Sequence, residues 1–176
     1  IRYHRSVQII FQDPYSSLNP KFTVGATIYE VMKVHNIGKN KKERENKVFD
    51  ILNKVKLDSS YYNRYPHELS GGQRQRIGIA RALVLNPELI ICDESVSALD
   101  VSIQAEVLNL LNDLKQEFEF TYIFISHDLS VVKYMSDRVM VMREGNMIEI
   151  NKADEIYNSS ASEYTKKLIS AIDDIS

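Results

Sequence analysis

Two short apolar runs separated by a helix pattern constrain the fold of this chain more than any other feature. Residues 88–92 and 121–125 are rich in isoleucine and other large apolar side chains, and each run has the length of one buried strand. The apolar positions between them recur at helical spacing: Ile103, Val107, Leu110, Leu111, Leu114 and Phe118. A strand, a helix and a second strand in this order form a right-handed parallel unit. The sequence therefore predicts an α/β fold with a parallel sheet.

Further elements are predicted on both sides of this unit. A strand at residues 7–11 precedes a turn-rich stretch with helices at residues 27–35 and from Asn40 onward, where Asn40 and Glu43 have the spacing of a capping box. The remaining predictions are a helix at residues 73–85, a short helix at 130–135, a hairpin at 138–142 and 147–150 joined through Glu144-Gly145, and an amphipathic helix at 161–172. The first half is thus mostly helical, as expected of an insertion carried on an α/β core.

Composition excludes some classes of protein. The 176 residues are 44% hydrophobic and 26% charged, which suits one globular domain. The net charge of −2 gives no general attraction to nucleic acid or anionic lipid. No apolar run approaches the roughly 20 residues that span a bilayer, so any connection to a membrane is expected to run through a partner protein. The one cysteine, Cys92, cannot form an internal disulfide, which favours a reducing compartment.

The run Leu-Ser-Gly-Gly-Gln-Arg-Gln-Arg at residues 69–76 carries the strongest binding pattern. Ser70, Gly71 and Gly72 stand just before a predicted helix, and the first N–H groups of a helix attract anions. Glycine also leaves the backbone open to a phosphate. Taken alone, these three residues better suit a serine-capped helix with a flexible entrance, so they indicate a phosphate site only together with the rest of the run and the motifs that follow.

Acidic residues and a histidine follow the two apolar runs. Asp93 and Glu94 come directly after the first run, and His127 follows the second. Ligands of open parallel sheets bind outside the carboxyl ends of the strands, so these side chains are expected at one sheet edge. In phosphoryl transfer an acid in this place holds Mg²⁺, and a neighbour orients or deprotonates the attacking water. Each of these residues alone would also suit a solvated loop.

Five motifs in a fixed order resemble those of the ATP-binding subunits of ABC transporters. Gln12 matches the Q-loop, residues 69–73 the signature, residues 90–94 the Walker B strand, residues 97–100 (Ser-Ala-Leu-Asp) the D-loop, and His127 the switch histidine. The resemblance covers nearly the whole chain and implies a P-loop NTPase (RecA-like) core of ABC type with a helical subdomain insertion. Residues 11–20, 97–104 and 162–170 look like the oligopeptide, dipeptide and nickel importer branch, and within it like the second of two paired ATPase subunits.

By this resemblance the chain divides into four parts. Residues 1–11 are a residual core strand, and 12–86 are the Q-loop and the helical subdomain that ends in the signature helix. Residues 87–150 are the RecA-like core with Walker B, D-loop and switch histidine, and 151–176 are a helical tail.

The resemblance assigns the γ-phosphate of ATP to the signature. The four residues Ser70, Gly71, Gly72 and Gln73 would clamp the γ-phosphate of an ATP molecule held mainly by another subunit. Asp100 would couple the two nucleotide sites across the dimer.

The resemblance assigns the chemistry to the sheet edge. Asp93 would hold Mg²⁺, directly or through water, and Glu94 would be the general base. His127 would contact the γ-phosphate, and Gln12 would touch Mg²⁺ or water and report the state of the site to the membrane subunit. ATP and Mg²⁺ are therefore the expected cofactors.

Two features depart from the family pattern. Ser95 stands where the family usually has proline, although both acids before it remain. No stretch reads Gly-x-x-x-x-Gly-Lys-Ser/Thr, the loop that cradles the β- and γ-phosphates. The aromatic residue that stacks on adenine in this family also lies upstream of that loop. The sequence is therefore expected to be truncated at its N-terminus and, by itself, unable to hold ATP.

The function implied is import driven by ATP. Two ATPase subunits would close around ATP and reopen after hydrolysis, moving transmembrane permease subunits. The cargo would be peptides, or nickel or metal chelates, and the second ATPase subunit would be a paralogue or an identical chain. No nucleic acid partner is expected, and the subunit would be cytoplasmic and peripheral on the inner face of the cell membrane.

Other readings of the same motifs stay open. The ATPase head of a DNA-repair or chromosome protein shares the signature and Walker B, but it usually carries a long coiled coil where this chain has a short stretch between Gln12 and Ser70. A translation-associated ABC protein with two heads is another alternative. The third is that these residues are an inert folded fragment.

Overall fold

The structure, a computed structural model, describes residues 2–13 and 15–173. Its elements are α1 (Arg2–Ser6), β1 (Val7–Ile10), α2 (Val24–Val34), α3 (Lys41–Lys54), α4 (Gly71–Leu83), β2 (Leu89–Asp93), α5 (Val101–Phe118), β3 (Thr121–Ile125), α6 (Leu129–Met135), β4 (Arg138–Arg143), β5 (Asn146–Lys152), α7 (Ala153–Ser159) and α8 (Glu163–Asp173). Two 3-10 helices, Ser59–Asn63 and Pro66–Glu68, lie between α3 and α4. Each predicted strand and helix has a counterpart, whereas α1 and α7 were not predicted. None of the described helices is long and apolar enough to cross a lipid bilayer.

The parallel sheet predicted from the sequence is present. β1 and β2 pair in parallel, with Val7 opposite Leu89 and Ile10 opposite Cys92. β2 lies between β1 and β3 in the three-stranded sheet. The predicted α/β fold class is confirmed.

A first compact unit extends to Ile123, and α4 lies at the centre of its core. This helix packs against α2, α3, α5 and β1, and its Ile77, Ile79 and Leu83 are buried. Five residues of α5 are buried: Val107, Leu108, Leu110, Leu111 and Leu114. All of them except Leu108 belong to the apolar stripe predicted from the sequence. The helical first half and the sheet therefore share one core, which fixes where the N-terminus of α4 points.

The exposure of β3 differs from the prediction of a buried strand. Ile123 and Ile125 are 48% and 46% exposed. Tyr122, whose side chain points to the other face of the strand, is half-buried and donates its hydroxyl hydrogen to the carbonyl oxygen of Leu111 at 3.0 Å. Successive side chains of a strand point to opposite faces. The described residues cover only one face of this edge strand, so the prediction is wrong for the other face.

A second compact unit, from Phe124 onward, is built on the hairpin of β4 and β5. Glu144 and Gly145 form the turn with φ values of 50° and 80°, in the left-handed region that a two-residue hairpin turn requires. One face of the hairpin packs on the helices of this unit in a small core: Val132, Val139, Val141 and Ile156. The predicted hairpin is therefore confirmed.

Glu149 ties the hairpin to the segment that enters α8. Its carboxylate accepts hydrogen bonds from the backbone N–H groups of Ala161 at 2.9 Å and Ser162 at 3.2 Å. These bonds, first of all the one from Ala161, hold the pKa of Glu149 below its usual value. The segment that enters the tail helix is thus fastened to β5.

Burial of Cys92 predicts an unreactive thiol. The side chain is 0% exposed, and burial raises its pKa to about 12. Because the thiolate is the reactive form, we expect the native protein to react with a disulfide reagent at pH 8 at least about 100-fold more slowly than the unfolded protein. The measurement is the rate of thiol release with and without guanidinium chloride. Since Cys92 is the one cysteine of the 176 residues, equal rates would place it outside the core.

Candidate nucleotide-binding site

The signature turn is a capping box at the start of α4. Ser70 is the N-cap residue, and its Oγ accepts a hydrogen bond from the backbone N–H of Gln73 at 3.3 Å. The Gln73 side chain reciprocates, because its Oε1 accepts from the backbone N–H of Ser70 at 3.0 Å. A serine hydroxyl can accept one bond and still donate its own hydrogen. Ser70 is exposed and therefore keeps a donor for a ligand at this helix end.

The amide of Gln73 is engaged at both ends. Its Nε2 donates to the hydroxyl oxygen of Tyr61 at 2.9 Å. The guanidinium of Arg64 lies 4.2 Å from the centre of the Tyr61 ring. The side chain of Gln73 thus connects the signature turn to the 3-10 helix Ser59–Asn63.

Close packing explains the two glycines of the signature. A Cβ at Gly71 would lie 3.3 Å from a methyl carbon of Leu99, and a Cβ at Gly72 would overlap the Cγ2 methyl of Ile103. Helix geometry leaves the first N–H groups of α4, at Gly71 and Gly72, without acceptors inside the helix. The glycines therefore allow the loop after β2 and the start of α5 to pack closely on α4, and they also leave backbone donors at a positive helix end.

The parallel pairing of β1 with β2 brings Gln12 and Glu94 together. Both residues lie two positions beyond the paired residues Ile10 and Cys92, so they leave the sheet side by side. The Nε2 of Gln12 donates to the Oε2 of Glu94 at 2.8 Å. Asp93, the last residue of β2, is exposed beside them. Asp93 and Glu94 thus lie at the carboxyl edge of the sheet, where they were expected, and Gln12, which was not part of that expectation, lies there with them.

Ser97 joins this cluster, although the sequence indicates it only as part of the D-loop motif. Its backbone N–H and its hydroxyl both donate to the carbonyl oxygen of Glu94, at 3.1 and 2.9 Å. Its Oγ also accepts from the Nε2 of Gln12 at 3.3 Å. The bond to Gln12 joins residues far apart in the chain, so the D-loop motif is the only signal in the sequence that points to Ser97.

Asp100 occupies the N-cap position of α5 without capping it through its side chain. Its carbonyl oxygen accepts from the N–H of Gln104 at 2.8 Å, while the side chain is exposed. The carboxylate is therefore presented at the surface next to Leu99, which packs against the signature.

His127 belongs to the second compact unit. It is exposed in the segment between β3 and α6, two residues after the last residue of β3. The next residue, Asp128, caps α6 by accepting from the N–H groups of Ser130 at 2.9 Å and Val131 at 3.2 Å. His127 thus follows the carboxyl end of a strand, as predicted.

The donor set fits Mg²⁺ held jointly by protein and phosphate. Among the described residues no group of three or more His, Cys, Asp or Glu could enclose a metal ion. Mg²⁺ is usually bound through one or two carboxylates together with substrate phosphates. The carboxylate of Asp93 and the amide oxygen of Gln12 at the sheet edge are donors of the kind that meet that need without a complete protein cage.

Comparison with known proteins gives one family. The model of the family described as ABC transporter matches residues 1–97. The oligopeptide transport ATP-binding protein OppF of Bacillus subtilis is 55% identical over 98% of this chain and 56% of its own length. OppF of Streptococcus mutans is 52% identical over 97% of this chain and 55% of its own length. The chain thus spans about half the length of the curated relatives it matches.

A solved structure shares the fold. CbiO1 from Clostridium perfringens, described as part of the ABC transporter complex cbiONQ, superposes with a TM-score of 0.77 and 28% sequence identity. The match covers 97% of this chain and 66% of that one.

The packing of the signature predicts that replacement by alanine has opposite effects on stability at two glycines of α4. We expect Gly72→Ala to lower the free energy of unfolding by about 1–3 kcal/mol, because the new methyl group meets Ile103. Gly78→Ala is the control: a Cβ there meets nothing within 4 Å, so the change should stabilise the helix by about 0.5–1 kcal/mol. Urea unfolding followed by circular dichroism measures both.

A second substitution isolates the contact. In an Ile103→Ala background the methyl carbon that Gly72→Ala meets is gone, so Gly72→Ala should cost clearly less than in the wild type. An equal cost in the two backgrounds would contradict this account of the glycine.

Proposed function

This chain belongs to the ABC transporter family, and on that premise we propose that it is part of an ATP-hydrolysing subunit that powers the import of peptides. The observation that carries the proposal is the contact of Gln12 with Glu94 at the carboxyl edge of a parallel sheet. A glycine-rich helix N-terminus in the same compact unit supports it. The names of the relatives support peptides over nickel or metal chelates as cargo.

The N-terminus of α4 would bind the γ-phosphate of ATP held mainly by a second ATPase subunit. The hydroxyl of Ser70 and the N–H groups of Gly71 and Gly72 are its donors, and the helix end adds a partial positive charge. Gln73 contributes through the capping box, which orients Ser70. Asp100, exposed beyond Leu99, would couple the two sites across the dimer.

The sheet edge would carry the hydrolysis. Bound Mg²⁺ neutralises charge on the phosphates. Asp93 offers it a carboxylate, and Glu94 accepts a proton from the attacking water. Gln12 contacts Glu94 and would report the state of the site to the permease, while His127 would approach the γ-phosphate.

The partners follow from the proposal that each ATP is bound by two subunits. A site completed by another chain requires a second ATPase subunit, a paralogue or an identical copy, and the pair would drive transmembrane permease subunits. The subunit would work on the cytoplasmic face of the membrane. The stretch between Gln12 and Ser70 holds helices of 11 and 14 residues, which does not favour the long coiled coil of a chromosome-associated ATPase.

Replacing the general base tests the chemistry. In the full-length subunit we expect Glu94→Gln to bind ATP with wild-type affinity and to hydrolyse it about 10²- to 10⁴-fold more slowly, because the amide cannot accept the proton. The control is Glu155→Gln in α7, an exposed glutamate outside the site that should leave turnover unchanged. Phosphate release and equilibrium ATP binding are measured together. Normal turnover of Glu94→Gln would remove Glu94 from this role.

Calorimetry tests where the phosphates are held. The six glycines of the sequence do not form a Gly-x-x-x-x-Gly-Lys-Ser/Thr loop, so we expect residues 1–176 alone to show no saturable heat with Mg·ATP. The full-length subunit should bind. Tight binding by the 176 residues would place the phosphate site elsewhere in the chain.

A further inference from the structure

We propose that Ser97 is a positioning residue that sets the side chains of both Gln12 and Glu94. The inference rests on the proposed ATPase function, in which Glu94 is the general base and Gln12 reports the state of the site. It starts from one hydroxyl group that forms two hydrogen bonds at once. Ser97 donates to the carbonyl oxygen of Glu94 at 2.9 Å and accepts from the Nε2 of Gln12 at 3.3 Å.

The first bond acts on the backbone of Glu94. Glu94 has a φ of 45°, in the left-handed region that non-glycine residues rarely adopt. The N–H and the hydroxyl of Ser97 both donate to its carbonyl oxygen and close the turn. Glu94 is thereby held in the conformation in which its carboxylate meets Gln12.

The second bond acts on the amide of Gln12. A primary amide nitrogen has two hydrogens, and here they have two acceptors, the carboxylate of Glu94 at 2.8 Å and the hydroxyl of Ser97 at 3.3 Å. With both hydrogens engaged, the Nε2 of Gln12 faces Glu94, and its carbonyl oxygen is directed away from the pair. That oxygen is the only atom of the amide able to take a metal ion or accept from water.

The test compares serine variants of the full-length subunit. We expect Ser97→Ala to lower kcat about fivefold to tenfold and to leave the Kd of ATP within about twofold, because Ser97 acts on Glu94 and Gln12. Ser97→Thr keeps the hydroxyl and should restore most of the turnover. Ser170→Ala is the matched control, since Ser170 is also exposed and donates to a carbonyl oxygen three residues earlier, that of Lys167 at 3.1 Å.

A double-mutant cycle with Gln12→Ala separates positioning from a general loss of structure. Ser97 acts on Gln12 and, separately, on the backbone of Glu94, so Ser97→Ala should change kcat less in the Gln12→Ala background than in the wild type, and the effect that remains is the part that acts on Glu94. Equal effects in both backgrounds, or a wild-type kcat in Ser97→Ala, would overturn the proposal. These outcomes differ from failure of the proposed function, in which the wild-type subunit itself would show no turnover that depends on Glu94.

Discussion

The in-register parallel pairing of β1 with β2 is the constraint on which the candidate site depends. Ile10 lies opposite Cys92, so the residues two positions further on emerge together at the same edge. Gln12 and Glu94 are far apart in the chain, and yet their side chains form a 2.8 Å hydrogen bond. A shift of one residue in this register would turn alternate side chains to the other face and separate the pair. Burial of Ile10, Ile90 and Cys92 holds the register in place.

The segment from Glu94 to Asp100 connects the sheet edge to the signature turn at the start of α4. At one end Ser97 closes the turn on Glu94, and at the other Leu99 packs against Gly71 at the start of α4. The helix that follows presses Ile103 against Gly72. One short stretch of chain therefore contacts both the proposed base Glu94 and the proposed phosphate-binding end of α4.

The sequence alone predicted those features that depend on local chemistry. Asn40 caps α3 as expected, since its side chain accepts from the N–H of Glu43, although Glu43 reaches back to the N–H of Lys39 instead of Asn40. The Glu144-Gly145 turn also follows from local backbone preference. The exposure of Ile123 was missed because periodicity cannot tell which faces of a strand the rest of the protein covers. The bonds of Ser97 to Gln12 and of Gln73 to Tyr61 were missed for a related reason, as each depends on tertiary contacts.

The site residues differ in how clearly mutation can reveal their roles. Gly72 packs too closely on Ile103 for a Cβ, and Gly71 lies close to Leu99, so a loss of activity on their replacement would not by itself demonstrate phosphate contact. Gln73 is similar, because its amide serves the helix cap and Tyr61. Gln12 and Glu94 are bound to each other at the sheet edge, where Gln12 is exposed and Glu94 is half-buried. A change of function at those two positions therefore reports on chemistry, whereas at the glycines it must be compared with the change in stability before a role in binding is assigned.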